Sequence, residues 1–468
     1  MAIFRGEIGF GKIAEFFPSI TQILVLGTAL HLASRKLPAL IDTIRDVLHT
    51  LITLNAKYQA LLKRANSPPG IPVANPSSPY WLDDPPFPDL VDRQDDIPDQ
   101  ADVVIIGSGI AGVSAAKAIL ELWPGNSSSS SSSSRSTDAT SEEEGSNEDD
   151  YIDGGSPRPP LVVVLEARQI CSGATGRNGG HIKSAPYEVY SDMRNKLGHE
   201  RASAIVRFQM QHLPCLVELG KQFPLAEARE VETVDLFLEE KDLDEAEQHV
   251  KDAMAAVPKY TAEVWRGDEA SKEFDTNKYI AGAISFKAGA IWPYRLVTSV
   301  WNHLLTTYPN LLISTRTPVH DIEASASTTH PYLVKSSRGT INARHVLHAT
   351  NGFAPQFVPA LRGRLTGALA HMSAQRPGPS FPAYHGDRSW SIIYAPGFDY
   401  ITQRPDRADG TSGDLMVGGG FFRSKDEGMD QVGVWDDSRV DSLPMMHVRA
   451  CMPGVFDPKW GIGGAALK

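Results

Sequence analysis

The segment Ala101–Gly112, with the sequence ADVVIIGSGIAG, decides the fold. Its first half is a short apolar run that ends in glycine, which predicts a buried β-strand. Gly107, Gly109 and Gly112 form a G-x-G-x-x-G motif, and helical spacing begins at Ile110. In a dinucleotide-binding turn such glycines permit the tight turn, the approach of a pyrophosphate and close helix–strand packing. The diphosphate would lie at the helix N-terminus, whose N–H groups favour anions.

A dinucleotide site also needs an acidic residue after the second strand, about 20 residues beyond the glycines, to bind ribose hydroxyls. Leu161–Leu165 predicts that strand, and Glu166 follows it directly. The spacing is longer than usual because residues 124–159 contain a serine run and an acidic stretch. Such a segment is too polar to bury a core, so we expect a disordered surface loop between the helix and the second strand.

A second glycine-rich loop, Cys171–His181, has the sequence CSGATGRNGGH. Glycines let a backbone lie close to a ligand, while Ser172 and Thr175 offer hydroxyl groups and Arg177 a cation. A second contact loop favours a long cofactor, FAD, over NAD. A nicotinamide dehydrogenase is the weaker alternative, because the sequence shows no second mononucleotide-binding half.

Composition and charge limit the number of domains, the kinds of ligand and the cellular location that the chain is expected to have. The chain has 468 residues, enough for two or three domains, and a formal net charge of −11. This charge disfavours nucleic-acid binding, which needs clustered Lys and Arg. The three cysteines, Cys171, Cys215 and Cys451, are far apart and predict neither a disulfide framework nor a metal site. A reducing, cytoplasmic location is the simplest interpretation.

Residues 1–98 carry no visible chemistry. The apolar residues 16–33 reach the lower limit for a membrane span, so membrane association stays an alternative. Heptad spacing from Leu37 to Leu61 predicts a helix that packs on the main domain, self-associates or lies on a membrane. Residues 1–64 are therefore expected to form a helical extension. The proline-rich residues 65–98 predict an extended arm without helix.

The segment Glu166–His181, EARQICSGATGRNGGH, resembles the FAD-binding signature of the D-amino-acid oxidase superfamily. The nearest branch is the γ-glutamylputrescine oxidoreductase-like group with its fungal members. Ala288–Val297 resembles the family's G-x-x-x-P-x-x-L-V segment, and His348–Gly352 its A-T-N-G segment. Asp399–Pro405 and Val417–Gly420 resemble its late substrate-domain strands.

The resemblance implies an α/β fold, α+β in the second domain. A discontinuous Rossmann-like FAD-binding domain would comprise residues 99–190 and 285–365, and a mixed β-sheet substrate domain residues 191–284 and 366–450. FAD is expected to be noncovalent, although some relatives attach flavin through a histidine in the region of His181. The residues implied to bind the cofactor are Gly107, Ser108, Gly109, Ile110, Ala111, Gly112, Glu166, Ala167, Arg168, Ser172, Gly173, Ala174, Thr175, Arg177, Asn178, Gly179, Gly180, His181, Val319, Ala349, Thr350, Asn351 and Gly352.

Family chemistry implies hydride transfer from an amine or amino acid to the flavin, with dioxygen as acceptor and hydrogen peroxide as product. The catalytic base is not identified by the sequence. Candidates by position in the substrate domain are His371, Tyr394, Tyr400, Gln403 and Arg404.

Two departures from the family pattern qualify this expectation. Trp460–Ile462 resembles only the start of a late segment that closes over the flavin, so residues 451–468 are expected to be a truncated tail. The family's R-G-Q-M-like region is altered at Leu369–Gln375. A catalytically inactive flavin-fold protein or binding module is therefore the alternative to a working amine oxidase.

Overall fold

The computed structural model describes residues 37–123, 151–152, 156–460 and 465–466. The expectations for the apolar residues 16–33, for the serine-rich residues 124–150 and for the family resemblance at residues 461–462 lie outside the described residues. The chain divides into two compact units, Met1–Lys63 and Arg64–Lys468, which are described separately.

The described part of the first unit lies in helix α1, Leu37–Asn66, so the predicted helix is confirmed. Several apolar side chains of the heptad pattern are exposed, including Ile44, Val47 and Tyr58. Within the described ranges, no helix is long and apolar enough to cross a membrane.

Two large β-sheets organise the second unit. The first has the strand order β10–β11–β12–β1–β4–β9. In chain order its strands are β1 (Gln100–Ile106), β4 (Val162–Leu165), β9 (Leu311–Ser314), β10 (Val319–Ala324), β11 (Tyr332–Ser336) and β12 (Gly339–His348). A separate antiparallel pair is formed by β2 (Tyr151–Ile152) and β3 (Ser156–Pro157). These strands differ from the disordered loop predicted for residues 124–159, because neighbouring segments joined by a short turn can pair locally without a core.

The centre of the first sheet is parallel: β1 pairs with β4 and with β12, and β4 pairs with β9. Helix α3 (Ile110–Glu121) lies between β1 and β4 in the sequence, so these three elements form a βαβ unit. Residues 124–150 belong to its connection, as the spacing predicted. Strand β4 is buried at every residue, which explains its unbroken apolar run.

The second sheet has the order β17–β13–β16–β15–β14–β6–β8–β5, and β7 also pairs with β8. Its strands in chain order are β5 (His181–Ile182), β6 (Arg229–Phe237), β7 (Ala262–Arg266), β8 (Gly282–Ala290), β13 (His371–Arg376), β14 (Arg388–Ile393), β15 (Phe398–Gln403), β16 (Leu415–Gly419) and β17 (Ala465–Ala466).

One face of the second sheet is apolar and packs against the C-terminal helix α10 (Ser442–Phe456). Trp390, Ile401 and Val417 from three neighbouring strands lie in this core with Val448 of the helix. The remaining helices are α2 (Pro88–Val91), α4 (Pro186–Leu197), α5 (His199–Met210), α6 (His212–Gln222), α7 (Glu240–Ala256), α8 (Gly267–Glu273) and α9 (Pro293–Thr307).

Residues 65–98 differ from the predicted helix-free arm. They contain a 3-10 turn at Tyr80–Leu82 and the short helix α2, whose first residue is a proline. Proline is tolerated there because the first N–H groups of a helix have no intrahelical partner. Trp81 and Leu90 are both only 4% exposed. Buried apolar side chains therefore hold this segment, hereafter the arm, against the rest of the second unit.

Candidate active site

The glycine turn after β1 has almost no free space. Gly107 has φ +107°, and a Cβ added to it would lie 2.6 Å from the carbonyl oxygen of Ala349. A Cβ on Gly112 would lie 2.1 Å from the carbonyl oxygen of Gly107. Side chains at these two positions would push the helix and β12 away from the turn. The motif therefore requires glycine for steric reasons, as predicted.

Glu166 is held beside this turn. Its Oε2 accepts hydrogen bonds from the N–H (3.0 Å) and hydroxyl (2.7 Å) of Ser108, and its Oε1 accepts from the N–H of Arg168 (3.0 Å). The parallel pairing of β1 with β4 brings it there, because Gly107 donates its N–H to the carbonyl of Leu165 (2.8 Å). The N–H of Thr317 donates to the Glu166 carbonyl (2.8 Å). Val319, which begins β10 two residues later, therefore also lies near Glu166.

The second glycine-rich loop packs onto the first turn. Thr175 Oγ1 accepts a hydrogen bond from the N–H of Ile110, the first residue of α3 (3.0 Å). Asn178 closes the loop on itself: its Nδ2 donates to the Thr175 carbonyl (2.9 Å), and its Oδ1 accepts from Gly180 (2.7 Å). Gly180 has φ +67°, which favours glycine. The helix N-terminus and the loop therefore form one cradle.

This cradle fits a cofactor rich in hydrogen-bonding oxygens. Within the described ranges, the hydroxyls of Ser172 and Thr350 and Nδ1 of His348 are buried without a hydrogen-bond partner. Buried polar groups are normally paired, so these three are suited to a polar ligand. These groups, among or next to the residues implied to bind the cofactor, are compatible with FAD.

Two predicted cofactor residues, Arg168 and Arg177, are bound to protein groups. Arg168 contacts the carboxylate of Asp437, and Arg177 donates to the carbonyl of Ser172 (3.0 Å) and the hydroxyl of Ser77 (3.0 Å). Asp437 and Ser77 were not identified from the sequence. They lie 269 and 100 residues from the arginines that they contact, and no local pattern marks them.

The arm contributes aromatic side chains that the sequence analysis missed. Trp81 Nε1 donates to the carbonyl of Asn178 (2.5 Å), and its indole lies 3.2 Å from where a Cβ on Gly180 would be. Trp292, in the segment that resembles the family's G-x-x-x-P-x-x-L-V motif, donates to the carbonyl of Trp81 (3.0 Å). Tryptophan inside a proline-rich segment is the one local signal that could have suggested a docked arm.

The face of the second sheet opposite α10 is polar and meets the second loop. By strand pairing, its central side chains are Thr233, Asp235, Ser389, Ser391, Tyr400 and Thr402, hereafter the polar face. Thr402 donates its hydroxyl to the carbonyl of Gly179. A Cβ on Gly179 would lie 2.6 Å from the Tyr400 ring. Gly179, one of the loop residues implied to bind the cofactor, therefore contacts this face.

A buried charge pair extends the polar face. Lys183 forms an ion pair with Asp235 and donates to the hydroxyl of Ser391 (2.7 Å). Tyr187 donates its hydroxyl to the other Asp235 oxygen (2.7 Å). Asp235 is 1% exposed and Lys183 11%, so a removed partner would leave a buried, uncompensated charge. Neither residue was predicted.

His181 lies between the loop and this pair. Its Nε2 is 2.9 Å from the Ser389 hydroxyl. Burial, together with the positive charge of Lys183, lowers the pKa of His181 to about 3. The imidazole is therefore neutral at physiological pH. Burial also raises the pKa of Tyr400 to about 12, so this phenol remains protonated.

Of the catalytic candidates, only Tyr400 lies on the polar face. His371 and Gln403 belong to the opposite face: His371 accepts the N–H of Asp441 at the start of α10 (2.8 Å), and Gln403 pairs with the buried Leu415. Strand alternation separates them from Tyr400. These two assignments by sequence position are therefore not supported by the geometry.

Tyr394 and Arg404 are also engaged elsewhere. Tyr394 donates its hydroxyl to Asp399 (2.9 Å). Arg404 forms an ion pair with Glu227 (2.6 Å), and its guanidinium lies 4.2 Å from the centre of the Trp292 ring. Arg404 also donates to the hydroxyl of Tyr80 in the arm (2.8 Å), so it links the arm to Glu227.

Comparison with known proteins agrees with this geometry. Residues 158–464 match the family model described as DAO, FAD dependent oxidoreductase. No curated protein matches the chain. Because the family match begins beyond the glycine turn, the geometry of residues 107–112 is an independent observation.

Three solved structures that are similar to this chain are the following, and the first of them, with a TM-score above 0.5, shows a similarity of fold. Iminodiacetate oxidase from Chelativorans sp. BNC1 has 15% identity and a TM-score of 0.51, with 78% of this chain and 81% of that chain covered. L-amino acid deaminase from Proteus vulgaris, with its specific insertion deleted, has 15% identity and a TM-score of 0.48 over 72% and 73%. Glycine oxidase from Geobacillus kaustophilus has 15% identity and a TM-score of 0.47 over 76% and 78%.

The family match covers well over half of the chain and includes the acidic residue, the second loop and the polar face. The cradle formed by the two loops is compatible with the family's cofactor. The chain belongs to the DAO family of FAD-dependent oxidoreductases, and its cofactor is FAD.

Proposed function

We propose that this protein oxidises the C–N bond of an amine or amino acid, with dioxygen as electron acceptor and hydrogen peroxide as product. The observation that supports the proposal is the contact between the polar face and the loop at Gly179. A substrate enclosed there would lie between hydrogen-bonding side chains and the cofactor. Such enclosure aligns the reacting carbon and excludes water.

The two sheets have separate tasks in this proposal. The first sheet would hold the cofactor: Glu166 is the residue that would accept from the ribose hydroxyls, and the N–H groups at the start of α3 would favour the diphosphate. When bound, FAD accepts the hydride that leaves the substrate carbon. Loss of the hydride converts the neutral amine into an iminium ion, which water hydrolyses to a carbonyl compound with release of the nitrogen as ammonia or an amine. The cofactor is proposed to be noncovalent, because Nε2 of His181 is engaged by Ser389.

Tyr400 is proposed to bind substrate and not to act as a base. Its hydroxyl donates to the sulfur of Met372 (3.0 Å), and burial keeps its pKa near 12. A phenol with so high a pKa already carries its proton at neutral pH, so it has no free site to accept the proton of the substrate. The substrate must therefore reach the site as the neutral amine or transfer its proton to another group.

The loop sequence CSGATGRNGGH supports a place in the γ-glutamylputrescine oxidoreductase-like branch. Primary amines that carry a carboxylate or an amide at a distance are therefore the first substrates to test.

A flavoprotein without turnover is the second candidate. The observation that favours it is the state of the polar face, where the carboxylate of Asp235 is already bound by Lys183 and Tyr187. A paired carboxylate is a weaker base than a free one. Retention of flavin without consumption of any amine would support this candidate.

The first experiment is the visible absorption spectrum of the purified chain, before and after acid precipitation. A flavin spectrum in the supernatant would support noncovalent FAD, and colour in the pellet would indicate covalent attachment, with His181 as the first residue to mutate. Amines and amino acids are then screened for peroxide production. If the protein is coloured but none of these compounds reduces its flavin, the proposed oxidase is contradicted.

Tyr400→Phe tests the placement of the substrate. Loss of one hydrogen bond, about 1.4 kcal/mol, should lower kcat/KM about tenfold while flavin remains bound. Tyr332→Phe is the matched control, because Tyr332 is 43% exposed on the first sheet and should leave the kinetics unchanged. Equal kinetics for both variants would place the substrate away from the polar face.

A further inference from the structure

Arg168 and Arg177 share one carboxylate in a mostly buried cluster. Arg168 Nη1 lies 2.9 Å from both oxygens of Asp437, and Arg177 Nε lies 3.3 Å from one of them. The side chains of the two arginines are 8% and 17% exposed, and that of Asp437 is 28% exposed. Burial and the charge of Arg168 lower the pKa of Arg177, whereas Asp437 opposes that change. Asp437 therefore compensates a charge that the interior disfavours.

The arm meets the same cluster. Ser77 donates its N–H (3.1 Å) and its hydroxyl (2.9 Å) to the carbonyl of Asp437. Arg177 Nη1 donates in turn to the Ser77 hydroxyl (3.0 Å). Three segments that are distant in the sequence are thus joined: the arm, the second glycine-rich loop and residues 432–441. Ser77, Arg168, Arg177 and Asp437 are hereafter the clasp.

Residues 432–441 are anchored on both sides of Asp437. The Trp435 ring lies 3.1 Å from where a Cβ on Gly352 would be and 2.7 Å from the equivalent position on Gly367. Asp441 forms the N-cap of α10 by accepting the N–H of Leu443 (3.0 Å). Gly352 belongs to His348–Gly352, the segment that resembles the family's A-T-N-G motif and is implied to bind the cofactor. The anchors therefore tie this segment to the cofactor cradle.

The clasp also borders a group that is suited to the cofactor. The Ser172 carbonyl accepts from Arg177 Nε (3.0 Å), while the hydroxyl of the same buried residue has no partner in the described part of the chain. The clasp holds two guanidinium groups and one carboxylate, so its formal charge is one positive unit. A cofactor diphosphate in the cradle would be attracted by that charge.

We propose that Asp437 is a positioning residue whose clasp closes the arm and residues 432–441 over bound FAD and slows FAD release. The closure acts through the protein's own segments and does not depend on which amine is oxidised. The alternative role for Asp437 is that of an internal anion that competes with the cofactor phosphates for the two arginines. In that role, removal of its charge would slow FAD release.

The test compares Asp437→Asn with Asp436→Asn in the FAD-loaded full chain. Asp436, which accepts hydrogen bonds within its local turn from the N–H (3.0 Å) and hydroxyl of Ser438, is the adjacent control. FAD release is followed by the rise of flavin fluorescence after dilution. Hydrogen bonds to charged groups are stronger than those between neutral groups, so Asp437→Asn should release FAD at least tenfold faster, which corresponds to about 1.4 kcal/mol.

Limited proteolysis of the arm gives a readout that is independent of turnover. In the FAD-loaded protein, Asp437→Asn and Ser77→Ala should both speed cleavage within residues 65–98, and Asp436→Asn should not. Thermal unfolding of each variant identifies any that fail to fold, in which case Ser77→Ala alone tests the clasp. Unchanged or slower FAD release from folded Ser77→Ala and Asp437→Asn would overturn the proposal.

Discussion

Alanine at Gly112 tests whether the first glycine turn is the cofactor turn. The added Cβ would lie 2.1 Å from the carbonyl oxygen and 3.1 Å from the carbonyl carbon of Gly107. Real Cβ atoms essentially never lie closer than 3.0 Å to another heavy atom, so the contact with the oxygen is too short by about 0.9 Å. Both contacted atoms are backbone, which cannot rotate away. Helix α3 would have to shift by about 1 Å from the end of β1.

Overpacking of this kind costs about 1–3 kcal/mol of folding stability. The same shift moves the N–H groups at the start of α3 away from the diphosphate. If half of the upper figure of about 3 kcal/mol weakens FAD binding, FAD affinity should fall at least tenfold, because about 1.4 kcal/mol corresponds to a factor of ten.

The assay is a fluorescence titration of the apoprotein with FAD, together with thermal unfolding. Gly454→Ala is the matched control: Gly454 lies in α10, and a Cβ there meets nothing within 4 Å. Alanine is favoured over glycine within helices by about 1 kcal/mol, so this variant should melt at the same or a higher temperature. Wild-type affinity and melting temperature in Gly112→Ala would refute the assignment of the turn.

Two further predictions concern residues that the sequence analysis singled out. Arg404→Ala removes the partner of Glu227, which is 19% exposed, so urea unfolding should show a loss of about 3 kcal/mol. Unaltered stability with abolished turnover would support a catalytic role for Arg404 instead. For His181, the folded pKa of about 3 lies below the unfolded value of about 6.5. Only the unfolded chain binds this proton between those values, so stability should fall as pH falls from 6.5 towards 3. His181→Gln should weaken that dependence in urea unfolding at pH 5 and 7, and an identical dependence in both proteins would contradict the buried neutral imidazole.

The core of the cofactor site could be predicted because its constraints are local. The apolar run before Gly107 and the helical spacing after it indicate strand, turn and helix without knowledge of the rest of the chain. Glu166 was found in spite of the insert, because two strands of a βαβ unit pair in parallel and bring their carboxyl ends together. The pairing of β1 with β4 has this arrangement.

The positions of the catalytic candidates could not be predicted from the sequence. Tyr400 and Gln403 are three residues apart in one strand, so their side chains must point to opposite faces. The sequence could have excluded one of them, but it could not show which face meets the glycine-rich loop. That depends on α10 covering the apolar face, which leaves the polar face to contact Gly179.

The sequence by itself determined that the protein has a dinucleotide turn, a distant acidic residue and a second glycine-rich loop, because each is a pattern of neighbouring residues. Only the tertiary structure decided the partners of the buried charges. Asp437 lies 269 residues from Arg168, and Asp235 lies 52 residues from Lys183. Such pairs form because a buried charge needs a counterion, and any of the chain's many acidic residues could supply one until folding selects it.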